Sequence, residues 1–328
     1  MKLIFIFVFI TSLQFLSSQS NAKITSCNDN EIRLNTAKYY ETRSRVSRLS
    51  LRSDKQILKN YNIVFVSGFM TNTFPQIMEH FRTIGLPISQ KMFVTFNDQM
   101  ELLNSLGINF DKPLIHTQRR PDYNLEIIKK SITDSNKQSI IVSFSKGGID
   151  TLNLLIKSED VRNKVAGWIS IQTPFKGSPL VDLIQSRRVI NSVANLFLKL
   201  FDGNGQALES MNSLSLKFFK EDYRNEINEI IKTIPIISVG SYEEVKLFSF
   251  KKSLLSPFIL LMNRLANGGK SDGFIPVSST CLKGTQCITL KGMDHAAPVF
   301  DIPFFKSYGT KKRISFTRTL FHSRVVAF

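Results

Sequence analysis

The stretch Ser139-Ile-Ile-Val-Ser-Phe-Ser-Lys-Gly-Gly148 joins a strand, a tight turn and a helix. The apolar run 140–142 predicts a buried strand, and the apolar-rich segment 148–156 predicts a helix. Between them, Ser143 to Gly147 has the pattern small–x–Ser–x–small, which a strained turn requires. The positive end of the following helix points at the turn and favours a developing negative charge there. We therefore interpret the central serine, Ser145, as a nucleophile; the alternative is a glycine-rich turn with an incidental serine.

The N-terminal segment has the three parts of a secretory signal peptide. Lys2 is followed by an apolar run over 3–10, and a small–x–small cleavage site ends at Ala22. The apolar part is shorter than the roughly 20 residues that a membrane-spanning helix needs. We predict that residues 1–22 are removed on export to the periplasm or the medium; the alternative is an uncleaved N-terminal anchor.

Residues 23–328 are enough for one large α/β domain with a sizeable core. The chain has three cysteines, which suits an exported protein with at most one internal disulfide. Cys281 and Cys287 could close a small loop and leave Cys27 over; the alternative is three unpaired thiols.

The chain is strongly basic, with a formal net charge of +17. Such a charge on an exported protein favours peripheral contact with an anionic membrane surface. Nucleic acid is the competing partner, but the chain has neither zinc-finger spacing nor an arginine-rich block, so we predict no nucleic-acid binding. A solvated basic surface without a specific partner is the simplest alternative.

Short apolar runs alternate with helical patterns along most of the chain. The predicted strands lie at 61–66, 92–96, 140–142, 165–171, 234–239 and 287–290. The predicted helices lie at 125–132, 148–156, 254–265 and 314–326, and a helix-like stretch lies around 77–81. Continuous apolar strands are typical of parallel sheets buried on both faces. The pattern predicts an α/β fold with a mostly parallel central sheet flanked by helices.

The alternation is interrupted at about 176–232, where the sequence predicts helices at 180–187, 189–201 and 205–219 and no strand. A helical insertion between two core strands predicts a cap, or lid, over a cleft. The alternative is an ordinary helical excursion that packs as part of the core.

A serine hydroxyl needs a neighbouring base to act as a nucleophile at neutral pH. The chain has four histidines, and His295 and His322 follow Ser145 in the order that hydrolases with this turn require. His295 lies in a loop directly after the last predicted strand, at the sheet edge where sites form in parallel sheets. His322 falls on the last predicted helix, so we predict that His295 is the base.

An acid that orients the base is expected in a loop between Ser145 and His295. Asp272 lies in the glycine-rich, turn-prone segment 268–277 and is the best candidate. Other acidic residues in this part of the chain are weaker candidates: Asp294, Glu243, Glu244 and Asp202.

A tetrahedral intermediate needs two backbone N–H donors. One is expected from Lys146, the residue after the nucleophile, and the other from Phe69 in the loop that follows the strand at 61–66. Gly68 would let the backbone of this loop approach a substrate closely.

Five motifs carry a resemblance to a known family: Val66-Ser-Gly-Phe69, Ser143-Phe-Ser-Lys-Gly147, Thr173-Pro-Phe-Lys-Gly-Ser-Pro-Leu-Val-Asp182, Ser271-Asp-Gly-Phe-Ile-Pro-Val-Ser-Ser279 and Asp294-His295. In this order they resemble the α/β-hydrolases, most closely bacterial triacylglycerol lipases and related esterases, over roughly residues 60–300. The resemblance implies that Ser145, Asp272 and His295 form a catalytic triad. It also implies that the helices after Asp182 form a lid over an acyl pocket.

The chain departs from the family pattern at three positions. Ser67 replaces the usual histidine of the oxyanion loop, and Ser143 replaces the usual first glycine of the serine turn. A serine is tolerable there only if its φ stays negative. Ala297 replaces an aspartate that binds calcium in many such lipases, so the sequence supports no metal site.

These features predict an exported serine hydrolase that cleaves carboxylic esters, with lipids as the substrates and an acyl-enzyme as the intermediate. No cofactor is needed. Acyl transfer or amide hydrolysis on the same triad, or a catalytically inactive binding protein on the same fold, are the alternatives.

Overall fold

The structure is a computed structural model that describes residues 29–45, 54–69, 71, 94–186, 205–245, 255–300 and 310–321. Several predictions lie outside these residues: the signal peptide 1–22, the helix-like stretch around 77–81 and the helix at 189–201. The same holds for Cys27, Asp202 and His322.

Six strands form one parallel sheet in the order β2-β1-β3-β4-β5-β6. They are β1 Asn62–Val66, β2 Phe110–Asp111, β3 Ser139–Phe144, β4 Val165–Ile171, β5 Ile236–Tyr242 and β6 Gln286–Lys291. β1 and β3 are buried along their whole length, as expected for central strands covered on both faces. The predicted parallel sheet is confirmed.

The register brings the carboxyl ends of the central strands to one edge. Val66 of β1 pairs with Ser143 of β3, and Phe144 pairs with Ile171 at the end of β4. Binding sites in open parallel sheets form at this edge. The loops that follow these strands are therefore brought together there.

Helices flank both faces of the sheet. In chain order they are α1 Asp29–Arg45, α2 Asn97–Leu106, α3 Leu125–Thr133, α4 Lys146–Lys157, α5 Glu159–Arg162, α6 Pro179–Gln185, α7 Gln206–Glu209, α8 Ser213–Asp222, α9 Arg224–Thr233, α10 Ser256–Leu265, α11 Val277–Thr280 and α12 Thr310–Leu320, with a 3-10 turn at Pro121–Asn124 and a helical stretch at 54–58. Side chains of α1, α2 and α12 pack on one face of the sheet, and side chains of α3, α4 and α9 pack on the other. None of the described helices combines the length and apolar character that a membrane crossing requires.

The strand predicted at 92–96 is wrong in its described part, because 94–96 forms a turn that leads into α2. Phe96 has a left-handed backbone with a φ of 63°, and its ring packs on Phe65 with the centroids 4.8 Å apart. The apolar residues therefore mark a buried turn. The edge strand beside β1 is the two-residue β2, where Phe110 pairs with Ile63.

Helix α1 has a polar sequence and covers one edge of the sheet. Thr36 Oγ1 accepts a hydrogen bond from the Thr289 N–H of β6 at 3.0 Å, and the Tyr40 hydroxyl accepts one from the Lys291 N–H at 3.2 Å. α1 thus covers the backbone donors that an edge strand leaves unpaired.

The predicted helical insertion contains α6 to α9 and no strand in its described part. The predicted helix 205–219 is divided by Asn212, whose Oδ1 accepts the N–H groups of Leu214 and Ser215 and caps α8. Ile227 and Ile230 of α9 lie in the same apolar cluster as the inner face of α4. α9 therefore packs as a flanking helix, and the lid remains a prediction for the rest of the insertion.

Cys281 and Cys287 form a disulfide that links the end of α11 to β6. A crosslink across six positions removes loop-closure entropy from the unfolded chain. Replacing both cysteines with serine is expected to lower the free energy of unfolding by about 2 kcal/mol. Urea unfolding of the oxidised protein tests this, with Cys27→Ser as the control. Unchanged stability of the double variant would contradict it.

Candidate active site

Ser145 occupies a strained turn between β3 and α4. Its φ of 53° and ψ of −127° are unfavourable for a residue with a Cβ. The Ser145 N–H donates to the Ile171 carbonyl at 2.8 Å, and the Ser145 carbonyl accepts from the Gly148 N–H at 3.0 Å. The predicted strand, turn and helix are confirmed, and strain of this kind is typical of a functional site.

Position 147 requires a glycine because the loop that follows β1 lies directly against the serine turn. A Cβ at this position would overlap the carbonyl oxygens of Ser67 and Val66. The first position of the pattern, residue 143, has room for a side chain. Ser143 fits in β3 with an extended backbone, and its Oγ accepts a hydrogen bond from Trp168 Nε1 at 2.8 Å.

The Ser143–Trp168 bond explains why serine replaces glycine at the start of the turn, and it makes a stability prediction. Ser143→Ala leaves the buried Trp168 Nε1–H without this acceptor, so the free energy of unfolding is expected to fall by about 1–3 kcal/mol. Denaturant unfolding followed by far-UV circular dichroism measures the loss, because this signal is also present in variants that lack Trp168, the only tryptophan. In a double-mutant cycle with Trp168→Phe, additive losses would contradict the account.

The structure brings the three predicted side chains Ser145, His295 and Asp272 into one hydrogen-bonded chain. His295 Nε2 lies 3.0 Å from Ser145 Oγ, and His295 Nδ1 lies 2.8 Å from Asp272 Oδ2. Because a carboxylate can only accept, Nδ1 carries the proton and Nε2 is left to accept the proton of Ser145. The arrangement can therefore activate the serine hydroxyl.

The Asp272 carboxylate is held in one orientation. Oδ1 accepts the N–H groups of Phe274 at 2.9 Å and Ile275 at 2.8 Å, which leaves Oδ2 for His295. The His295 N–H in turn donates to the Asp272 carbonyl at 2.8 Å. Asp272 and His295 are therefore joined by a backbone hydrogen bond as well as by a side-chain hydrogen bond.

Two aromatic rings pack on the His295 imidazole. The Phe144 centroid lies 4.9 Å from it at a tilted angle, and the Phe274 centroid lies 5.3 Å from it edge to face. Phe274 also stacks on Phe258 of α10 at 5.4 Å. These contacts restrict rotation of the imidazole and shield the hydrogen-bonded chain from water.

The other candidate acids have different roles in the described structure. Asp294 Oδ1 accepts the N–H groups of Ala296 and Ala297 at 3.1 and 2.9 Å and so forms a turn. Glu243 accepts the N–H of Glu244. Glu244 forms an ion pair with Lys291, and the hydrogen bond that Lys291 donates to this carboxylate raises the pKa of the lysine.

The residues predicted to bind the oxyanion lie on the two sides of the serine turn. Lys146 is the first residue of α4, where a helix leaves its N–H groups without intrahelical acceptors. The loop before Phe69 is pressed against the turn, since a Cβ on Gly68 would lie 2.9 Å from Ser145 Cβ. Both peptides therefore adjoin Ser145.

Ser67 departs from the family pattern. It connects the loop that follows β1 to the turn before α2. Its Oγ is hydrogen-bonded to Thr95 Oγ1 at 3.2 Å, and Lys112 Nζ donates to the Thr95 carbonyl at 2.9 Å. Burial lowers the pKa of Lys112 to about 8. A hydroxyl pair thus supports the loop where the family uses histidine.

A buried ion pair beneath the turn is a feature that sequence reasoning missed. Lys146 Nζ lies 2.7 and 2.9 Å from the two oxygens of Asp150, and Asn124 Nδ2 donates to Asp150 at 2.8 Å. Burial raises the pKa of the Asp150 carboxyl, and the adjacent ammonium and amide donors act in the opposite direction. The spacing of four in the sequence was the available signal, but it does not reveal burial.

This ion pair gives a further stability prediction. Asp150→Ala leaves the Lys146 ammonium buried without its counter-ion, so the free energy of unfolding is expected to fall by about 3–5 kcal/mol. The double variant Lys146→Met with Asp150→Leu removes both charges and is expected to recover most of that loss. Urea unfolding of the wild type, Asp150→Ala and the double variant measures these differences. An Asp150→Ala variant with unchanged free energy of unfolding would show that the ion pair does not stabilise the fold.

Two of the motifs that carry the family resemblance hold one another in place. Ser178 Oγ donates to the Phe274 carbonyl and Ser279 Oγ donates to the Gly177 carbonyl, both at 2.6 Å. The Lys176 N–H donates back to Ser279 Oγ at 3.0 Å. The segment around Thr173–Asp182 thus fixes the loop that carries Asp272.

A buried apolar cluster lies beside the loop that follows β1. The partly buried Phe69 and Ile184 pack against buried side chains of the insertion, namely Val181, Leu208 and Met211. Phe274 and Phe258 join a second cluster with Leu180, Leu261 and Met262. In the described ranges, no group of three or more His, Cys, Asp or Glu side chains could hold a metal ion.

No protein-family model matches the chain, and no curated protein sequence shows significant similarity to it. Solved structures do match. The mature lipase BlEst2 of Bacillus licheniformis has a TM-score of 0.56 at 19% identity, over 78% of this chain and 89% of that one. The metagenomic carboxyl esterase MGS0156 has a TM-score of 0.55 at 18% identity, over 82% and 75% of the two chains.

The lipase of Staphylococcus hyicus has a TM-score of 0.53 at 12% identity, over 82% of this chain and 96% of that one. At these identities the likeness concerns the fold, and every one of these proteins is a lipase or an esterase by name. Together with the parallel sheet and the serine turn after β3, the likeness shows that this chain has the α/β-hydrolase fold and resembles bacterial lipases and esterases.

Proposed function

We propose that the protein is an exported serine hydrolase that cleaves carboxylic esters, with lipids as its substrate class. The observation that carries this proposal is the hydrogen-bonded chain Ser145–His295–Asp272 on a strained strand–helix turn. The names of the structural neighbours, two lipases and a carboxyl esterase, agree with it.

The side chains would act in two half-reactions. Ser145 Oγ attacks the ester carbonyl carbon while His295 Nε2 takes its proton, and the N–H groups of Lys146 and Phe69 bind the oxyanion. The bond to the alcohol oxygen then breaks, and His295 gives that oxygen the proton. A water molecule repeats the sequence on the acyl-enzyme, releases the carboxylic acid and restores Ser145.

Lipid as the substrate class rests on the apolar cluster beside the loop that follows β1. Phe69 is partly buried and packs against the buried Val181 and Met211, and its ring would contact an acyl chain next to the scissile carbonyl. Export is supported by the N-terminal sequence pattern and by the Cys281–Cys287 disulfide, which is typical of oxidising compartments. The net charge of +17 favours an anionic lipid surface.

A panel of p-nitrophenyl esters of increasing acyl length, with and without an oil–water interface, tests the proposal. We expect hydrolysis that persists with long acyl chains and increases at the interface. A rate that falls steadily beyond short chains would assign a soluble-ester esterase instead. The absence of hydrolysis of every ester, with a fluorophosphonate failing to label the protein, would indicate a binding protein on this fold.

A further inference from the structure

Gln172 has a backbone conformation that its residue type disfavours. It follows β4 directly, is fully buried and has a φ of 52°. Its N–H donates to the Val239 carbonyl at 2.7 Å, and the preceding carbonyl, that of Ile171, accepts the Ser145 N–H. The strained residue therefore lies between the serine turn and β5. A left-handed residue other than glycine persists only where its surroundings impose it.

The Gln172 side chain reaches the loop that carries His295. Its Nε2 donates to the Asp294 carbonyl at 3.0 Å and also to Ser241 Oγ. Ser241 Oγ in turn donates to the Met293 carbonyl at 3.1 Å. Two successive carbonyls immediately before His295 are thus held by one amide and one hydroxyl.

The same side chain is poorly satisfied as a structural residue. Gln172 Oε1 is buried and has no hydrogen-bond partner among the residues that the structure describes. An unpaired buried oxygen and a strained φ both oppose stability. Gln99 Oε1 is unpaired in the same way, so the left-handed backbone is what distinguishes Gln172. Each of its side-chain donor contacts leads to the His295 loop.

We propose that Gln172 is a positioning residue for His295. By fixing the peptide before His295, Gln172 keeps the Nε2 atom of His295 at 3.0 Å from Ser145 Oγ. A shift of about 1 Å in such a contact lowers a rate by up to 10²-fold. The proposal rests on the proposed hydrolase function, and it assigns Gln172 no contact with substrate.

Two variants separate positioning from stability. Gln172→Gly relieves the φ strain and removes the unpaired oxygen, whereas Gln172→Met keeps the volume and removes the donor. We expect both to lower kcat for ester hydrolysis roughly 10- to 100-fold with KM unchanged. Gln172→Gly, which relieves the φ strain, should lose kcat as fully as Gln172→Met, which retains the strain, because both variants lack the donor to the Asp294 carbonyl.

Gln99 offers a matched control. Its Nε2 donates to the Pro298 carbonyl at 2.7 Å, which lies in the same loop but beyond the turn that follows His295. Gln99→Met therefore removes a comparable buried hydrogen bond without releasing the peptide before His295. It should lower the melting temperature and leave kcat within about threefold of wild type, against the 10- to 100-fold loss expected of the Gln172 variants.

A readout that does not need turnover completes the test. The proton of the His295 Nδ1–Asp272 hydrogen bond is expected as a far-downfield resonance in the NMR spectrum of the wild type, broadened or lost in both Gln172 variants and retained in Gln99→Met. A retained resonance with wild-type kcat in the Gln172 variants would overturn the positioning role. A wild type with this resonance but without ester hydrolysis would instead overturn the proposed function.

Discussion

Replacement of Ser145 with alanine is expected to lower kcat/KM for ester hydrolysis by on the order of 10⁴-fold or more. The reason is that the variant removes the hydroxyl oxygen that lies 3.0 Å from His295 Nε2, while the rest of the chain stays in place. The Cβ is retained, so the strain at a φ of 53° is unchanged, and the melting temperature should match that of the wild type. Steady-state kinetics and thermal unfolding measure the two quantities.

A second substitution at the same position sharpens this test. Ser145→Gly should be equally inactive but more stable, by about 1 kcal/mol, because glycine tolerates the positive φ. Ser105→Ala, at an exposed serine of α2, serves as the control and should retain full activity. Hydrolysis by Ser145→Ala at more than a tenth of the wild-type rate would rule out Ser145 as the nucleophile.

Asp272→Asn is expected to lower kcat by about 10⁴-fold, through the tautomer of His295. Because Asp272 Oδ1 accepts two backbone N–H groups, the asparagine must keep its oxygen there and turn its NH₂ group toward His295 Nδ1. The imidazole then has to accept at Nδ1 and carry its proton on Nε2, where it cannot take the proton of Ser145.

Asp294→Asn is the matched control for this variant. Asp294 accepts the N–H groups of Ala296 and Ala297 through Oδ1, and an asparagine oxygen can do the same, so kcat should change by less than about tenfold, far short of the loss expected for Asp272→Asn. If Asp294→Asn is inactive and Asp272→Asn is active, the acid has been assigned to the wrong loop. Circular dichroism of both variants establishes that they are folded.

The sequence predicts the sheet and the proximity of Ser145, Asp272 and His295 because both depend on local patterns. The run 140–142 can only be buried, the small residues around Ser145 require a tight turn, and the chain order of the reacting residues follows from the topology. Asp272 and His295 lie in loops that follow strands, and parallel strands bring such loops to one edge.

The features that could not be predicted depend on tertiary structure. α1 is polar, and its helix is stabilised by the edge of β6. Apolar 94–96 is typical of a strand, yet it forms a buried turn against Phe65. The Lys146–Asp150 spacing suits an exposed helix pair as well as a buried one. The left-handed backbone of Gln172 has no sequence signature, because glutamine rarely adopts it.

Ser143 shows how the structure resolves a departure from the family pattern. A side chain at the first position of the turn is accommodated because the backbone there belongs to β3 and is extended. Its hydroxyl then serves as the acceptor for the buried Trp168 Nε1–H. The glycine that families of this kind use is therefore replaceable where a neighbouring strand supplies a donor.

The central claim is that Ser145 is a nucleophile activated by His295 and Asp272. Reaction of the purified protein with a fluorophosphonate, followed by peptide mass spectrometry, tests it most directly. The account predicts a single adduct on the peptide that contains Ser145, absent in Ser145→Ala and formed far more slowly in Asp272→Asn. An adduct on a different serine, or undiminished labelling of Ser145→Ala, would contradict the account.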